Sequence, residues 1–254
     1  MTRKRSWHAA AGGLLAAVSS CAAHAGEGKL PPDFVYLRDV APSIMQDMRY
    51  ATPGNFTGKP VPGYDAAECV LKRGAAEALK RAQENAQKQG YSLKVYDCYR
   101  PVRAVQAFMA WTAAREDGRT KRYYPHLSKL QLVPGYIADR SGHSAGAATD
   151  LTLVPIAAAP LRPLTGPPGD CTAPAQDREP DTGLDMGTAF DCFDPKANTD
   201  SPLVTPEQRK ARMLLKSIME AAGFKNYAGE WWHFSYAVAN SGKLYDFQIE
   251  PPPR

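Results

Sequence analysis

The chain has 254 residues, 44% of them hydrophobic and 22% charged, which is enough apolar material for one substantial core. Its formal charge of +5 falls to +2 once residues 1–25 are set aside, because these hold Arg3, Lys4 and Arg5 and no acid. With so little excess charge, and no basic cluster interleaved with aromatics, the composition excludes a nucleic-acid binder; no stretch beyond the N-terminus is apolar enough for a transmembrane helix.

Residues 1–25 read as a secretory signal peptide. A basic start, Thr2-Arg-Lys-Arg5, precedes a small-residue apolar run from Ala9 to Ala23, and Ala23-His-Ala25 before Gly26 fits an A-x-A cleavage site. Export to the periplasm follows. Val18-Ser-Ser-Cys21 also resembles a lipobox, so lipid anchoring through Cys21 is the competing expectation. Cleavage after Ala25 leaves Cys69, Cys98, Cys171 and Cys192, an even number in an oxidising compartment. Of the three pairings open to four cysteines, we expect Cys69 with Cys98 and Cys171 with Cys192. Closing the second loop, of about twenty residues, stabilises by roughly 3 kcal/mol.

Residues 26–33 have the composition of a flexible spacer, and 34–254 form a single α+β domain. Within it, 34–40 and 44–50 read as strands, and 52–60 as a turn-rich loop. Residues 66–89 carry a helical stripe through Val70, Leu71, Ala75, Leu79 and Ala82, stopped by Gly90. A strand over 91–97 and a helix over 102–114 follow, so Arg100 lies at a strand-to-helix junction. Residues 115–140 read as loop with a short helix near 127–132, and 155–185 as a Pro/Gly-rich surface insertion, either a rim beside the site or a stapled loop. Thr205-Pro-Glu-Gln208 opens a helix running to Gly223. Trp231 to Val238 reads as a buried aromatic strand.

Ser141-Gly-His-Ser-Ala-Gly-Ala-Ala-Thr-Asp150 sets His143 and Asp150 on a small-residue loop feeding a strand, and Gly229-Glu-Trp-Trp-His-Phe234 adds Glu230 and His233. Two imidazoles, a coordinating carboxylate and a spare one are the inventory of a catalytic zinc site. A three-histidine site would need His126 instead; Asp150 is the expected third ligand. In a straight strand Glu230 and His233 would point to opposite faces, so the backbone must bend there, and Gly229 eases that.

Ser-x-His-x-x-Gly-x-Ala-x-Asp followed by Glu-x-x-His resembles the zinc D,D-peptidases of family M15. Tyr50-Ala-Thr with Asn55-Phe-Thr-Gly-Lys-Pro60, Tyr99-Arg-Pro101, Met186-Gly-Thr-Ala-Phe-Asp191 and Glu230-Trp-Trp-His233 are similar to its D-alanyl-D-alanine dipeptidase (VanX-like) branch. The resemblance implies an antiparallel sheet flanked by helices, with one Zn²⁺ in a cleft on the sheet, as in hedgehog and D,D-peptidase-like folds. It implies Zn²⁺ on His143, Asp150 and His233, with Glu230 as general base then acid and Arg100 facing the oxyanion. Tyr50 and Asp191 would meet the substrate ammonium, and Ser141 its carboxylate end. Implied activity is hydrolysis of D-alanyl-D-alanine; the alternatives are D,D-carboxypeptidase action on longer peptidoglycan stems, or a non-catalytic zinc-stabilised binding module. Cys98 stands where the family has glycine, and the insertion is long for the family; both departures accord with export.

Overall fold

The computed structural model describes residue 1, residues 30–157, residue 164 and residues 166–253. The expected signal peptide, its cleavage site and Cys21 lie outside the described residues, as do residues 26–29 of the spacer. Residues 30–33 are already fixed to the fold: Asp33 accepts from Arg73 N–H through its carbonyl and pairs with Lys72 through its carboxylate.

The chain begins with β1 (Phe34–Tyr36), α1 (Leu37–Val40) and β2 (Met45–Gln46). The first expected strand is cut to three residues because its ladder partner offers three pairs only, after which Ala41 N–H closes a helical turn on the Leu37 carbonyl. The second is cut at Gln46, since the chain then enters the 3₁₀ turn Arg49–Ala51 that places Tyr50. The expected helix from residue 66 is the largest correction. Val70–Lys72 is a strand, β3, paired with β1, and α2 spans Arg73–Gln87. Val70 and Leu71 fit the apolar stripe of a helix, but the Cys69–Cys98 bond and the pairing with β1 hold this stretch extended. Gly90 takes φ +85° just beyond α2, the left-handed stop expected of it.

Then come β4 (Tyr91–Asp97), α3 (Val102–Ala113), a 3₁₀ turn at Lys129–Leu132, β5 (Ala148–Pro155), α4 (Pro206–Ala221), β6 (Lys225–Asn226) and β7 (His233–Ser235). The Thr205–Gln208 capping box forms as expected. The last strand keeps three of its eight expected residues, because Trp231 and Trp232 fall in the turn before it.

The main sheet runs β2-β4-β5-β7-β6. It is antiparallel, as expected, apart from the edge strand β2, which pairs parallel with β4 over two residues; the intervening β3 and α2 supply the long crossover that a parallel pair needs. The buried apolar stripe of α2, with Ala75, Leu79, Ala82 and Ala86, lies beside β4, and Gln83 accepts from Leu93 N–H.

Part of the 155–185 insertion packs on the sheet rather than standing off it. Asp181 accepts from Lys94 Nζ at 2.8 Å, Tyr96 Oη at 2.9 Å and Arg49 Nη2 at 3.1 Å, and Leu184 N–H donates to the Leu153 carbonyl. Both disulfides, Cys69–Cys98 and Cys171–Cys192, are present as expected. Fully buried Arg212 of α4 ties down the chain on both sides of Cys192, donating to the carbonyls of Met186 at 2.7 Å, Lys196 at 2.9 Å and Asn198 at 2.6 Å.

Replacing Arg212 with alanine removes three hydrogen bonds to carbonyls, the one to Met186 buried and those to Lys196 and Asn198 part-buried, so R212A is expected to lose roughly 3 kcal/mol of stability in urea unfolding. A loss below about 1 kcal/mol would show that these bonds do not hold the segment.

Candidate active site

Three neighbouring strands deliver one row of side chains. Asp150 of β5 lies opposite His233 of β7 on one side and Asp97 of β4 on the other. Directly paired residues share a sheet face, so His233 and Asp150 meet without any further device. Asp97 joins them through a register shift between Val95 and Asp97, where β4 spends an extra residue and so brings Asp97 rather than Tyr96 opposite Asp150.

His143 arrives from the 3₁₀ turn Gly142–Ala145, capped by Ser141, whose Oγ accepts from His143 N–H at 3.2 Å. The turn ends at Gly146 with φ +71°, where a Cβ would lie 2.2 Å from the Phe34 ring. Glycine is needed there for both dihedral and space.

Glu230 and His233 reach one side through a tight turn. Glu230 N–H donates to the Tyr227 carbonyl and His233 N–H to the Glu230 carbonyl, while the Asn226 side-chain amide clamps the carbonyls of Glu230 at 3.2 Å and His233 at 3.1 Å. The expected bend is present. Gly229 serves it by leaving room, since a Cβ there would lie 2.8 Å from the Tyr227 ring.

The three expected ligands converge. Nε2 of His143, Nδ1 of His233 and Oδ1 of Asp150 stand 3.0 to 3.2 Å from one another. His143 Nδ1 faces the Cys98 carbonyl at 2.7 Å, an acceptor only, so Nδ1 carries the proton and Nε2 presents a lone pair. His233 Nε2 is 3.2 Å from Ser235 Oγ, a hydroxyl able to accept its proton, and in that tautomer Nδ1 is the second lone pair. Two lone pairs and a carboxylate oxygen at contact repel unless a cation lies among them. A tetrahedral metal with ligand contacts of roughly 2.0–2.1 Å separates its ligands by about 3.3 Å, so the donor set fits one in chemistry and size.

Burial works to raise the Asp150 carboxyl, but the two imidazoles outweigh it and hold it well below the usual carboxylate range. Glu230 stands outside the triangle, its Oε2 4.0 Å from His233 Nδ1. Burial pushes its carboxyl up to about 7. His126, the alternative ligand, is elsewhere, with its Nδ1 2.7 Å from Asp194.

Around this centre lies a cavity of about 350 Å³. Arg100 lines it, with Nε and Nη2 both 2.9 Å from Asp97 Oδ2, Nη2 3.6 Å from Asp150, and its guanidinium over the Tyr50 and Phe108 rings. Its salt bridge to Asp97 does not displace it from the cavity; the pair orients the cation there. Tyr50 Oη donates to Asp191, at 3.1 and 3.0 Å from its two oxygens, and Asp191 and Ser141 both line the cavity. Burial and then the Asp150 charge push the Asp191 carboxyl well above its ordinary value. One wall is the segment Pro134–Ser141, read from sequence only as loop. No described residue of the 155–185 insertion lines the cavity, so its described part forms no rim.

Two residues outside the expected site set organise it, Asn226, which sequence reasoning missed, and Asp97, which it offered only as a salt-bridge partner for Arg100. Fully buried Asp97 accepts from Tyr64 Oη at 2.7 Å, holds Arg100, and sits 3.4 Å from His143 Nδ1. Asn226 makes the Glu230 turn. Neither belongs to a local pattern; only Asp97's place two residues before Tyr99-Arg-Pro101 hinted at a role.

The sequence matches the family model of the M15 peptidases, described as D-ala-D-ala dipeptidase, over residues 32–158 and 174–250. The break in the match falls inside the insertion. A Streptomyces coelicolor protein named D-alanyl-D-alanine dipeptidase is 40% identical over 220 residues, covering 85% of this chain and 98% of its own. Proteins of the same name from Enterococcus faecium and Escherichia coli are 37% and 32% identical, over 79% and 84% of this chain and 90% and 89% of theirs.

Asp97→Asn keeps the shape and removes the charge behind His143 and Arg100. Zn²⁺ affinity, measured by competition with a chelator, is expected to fall roughly 10- to 100-fold. Unchanged affinity would mean that Asp97 does not support the ligand set.

Proposed function

The chain belongs to the M15 peptidases, in the family described as D-ala-D-ala dipeptidase, and from that premise we propose that it hydrolyses D-alanyl-D-alanine to two D-alanine with one Zn²⁺ on His143, Asp150 and His233. The observation that carries this reading is the convergence of three acceptor atoms with a further carboxylate, Glu230, just beyond them. A purely structural metal site has no use for that carboxylate.

Zinc bound there supplies Lewis acidity, lowering the pKa of a water toward neutrality and polarising the peptide carbonyl. The protein's own groups do the rest. Glu230 takes the proton from the attacking water at its carboxylate and returns it to the departing amine nitrogen, work suited to a carboxyl raised by burial. Arg100 stays charged at any working pH and is oriented by Asp97, so it faces the carbonyl oxygen as negative charge builds on it. Asp191, with the Tyr50 hydroxyl fixed on it, faces the substrate ammonium, whose positive charge favours the carboxylate form against the burial that raises it, and Ser141 offers a hydroxyl to the substrate's carboxylate end. A cavity of about 350 Å³ lies at the small end of ligand sites and favours a free dipeptide over a long stem.

We place the protein in the periplasm after removal of residues 1–25, with wall-peptide turnover or recycling as its setting. Two disulfides support an oxidising compartment. Among the described residues no helix is long and apolar enough to cross a membrane.

Glu230→Ala is expected to bind one equivalent of zinc as the parent does and to cut D-Ala-D-Ala at least about 10³-fold more slowly. Turnover surviving that change would sink the mechanism. With the parent, D-Ala-D-Ala should be cleaved, L-Ala-L-Ala left intact, and a pentapeptide stem cut far more slowly than the free dipeptide; preference for the stem would favour a carboxypeptidase.

A further inference from the structure

A dipeptide enters the cavity as a zwitterion. Its ammonium has Asp191, but its carboxylate needs positive charge as well as the single hydroxyl of Ser141. Two cationic side chains line the cavity, Arg100 and Arg140. Arg100 is committed: Asp97 takes two of its nitrogens, Asp150 lies near one of them, and two aromatic rings cover its face. Arg140 is exposed and, among the described residues, pairs with no carboxylate.

Its backbone is nonetheless held. The wall segment is pinned at one end by Tyr136 and Ile137, whose N–H groups both donate to the Leu132 carbonyl, and by the packing of Tyr136 on Phe193. At the other end Ser141 caps the His143 turn. The backbone that carries this unpaired guanidinium is thus held on both sides, and the side chain lines the cavity next to the hydroxyl already assigned to the carboxylate end.

We infer that Arg140 binds the α-carboxylate of the substrate's C-terminal residue, with Ser141 donating a second hydrogen bond to the same group. This rests on the peptidase reading above and adds to it the residue that makes the site recognise a free C-terminus. Guanidinium and carboxylate match as two parallel donors on two acceptors, a geometry that an ammonium cannot reproduce. The contact is made equally in ground and transition states, so it acts on KM and not on kcat.

The test compares the zinc-loaded parent with R140A and R140K on D-Ala-D-Ala, using D-alanyl-D-alaninamide, which lacks the negative charge, as a competitive inhibitor. For R140A the KM is expected to rise about tenfold, with kcat within about twofold, and with the inhibition constant of the amide unchanged. R140K should recover part of the lost affinity. An R140A protein with parental KM overturns the inference, as does equal weakening toward dipeptide and amide, which would mark a general effect on the site. Parental turnover of D-Ala-D-Ala with a silent R140A sinks this inference alone; no parental turnover sinks the functional reading and this one with it.

Discussion

The arrangement depends on an electrostatic conflict: Nε2 of His143, Nδ1 of His233 and a carboxylate oxygen of Asp150, each an acceptor, held 3.0 to 3.2 Å apart in a buried cleft. Left alone, such a cluster would splay or take up protons. It is held because every ring is fixed from behind, by the Cys98 carbonyl on His143 and by Ser235 on His233. The conflict resolves when a cation enters, and the energy spent in pre-arranging the acceptors is recovered as metal affinity.

The outer ring of the site follows from the same constraint. A buried anion at Asp150 needs further positive charge nearby, and Arg100 supplies it; a buried arginine needs its own carboxylate, and Asp97 supplies that. Tyr64 then satisfies the remaining oxygen of Asp97. Cys98 lies between Asp97 and the Tyr99-Arg100 pair, so the bond to Cys69 fixes the stretch from which two of these contacts originate. The disulfide therefore bears on the site as well as on the fold. Cys192 does the same next to Asp191, whose φ of +57° puts it in the left-handed region where a non-glycine residue persists only if its surroundings hold it.

Much of this was legible in the sequence, for a physical reason. Ligands on a strand and on the glycine turn feeding it are local in the chain, so His143 and Asp150 announced themselves, and Glu230 with His233 formed a second compact signal. Helices α3 and α4 and strand β4 were equally plain, because Pro101, the Thr205 box and the alternation over 91–95 are punctuation within a few residues. What failed was non-local. Val70 and Leu71 suit either a helix stripe or a strand, and only the pairing with β1 decides between them. Nothing around Asp97 or Asn226 distinguishes a buried organiser from a surface polar residue, since Tyr64 and Thr199 lie elsewhere in the chain and an asparagine four residues before Glu230 has no signature of its own. The cavity wall at Pro134–Ser141 was invisible for the same reason.

Two imidazoles and one carboxylate, from a 3₁₀ turn and two strands, are proposed to share a single ion. X-ray absorption at the zinc edge, on protein loaded with one equivalent, reads that ligand set. Two imidazole scatterers and oxygen at about 2.0–2.1 Å, with no sulfur, are expected. A third imidazole, which would bring His126 into the site, or a sulfur shell near about 2.3 Å, would contradict that ligand set.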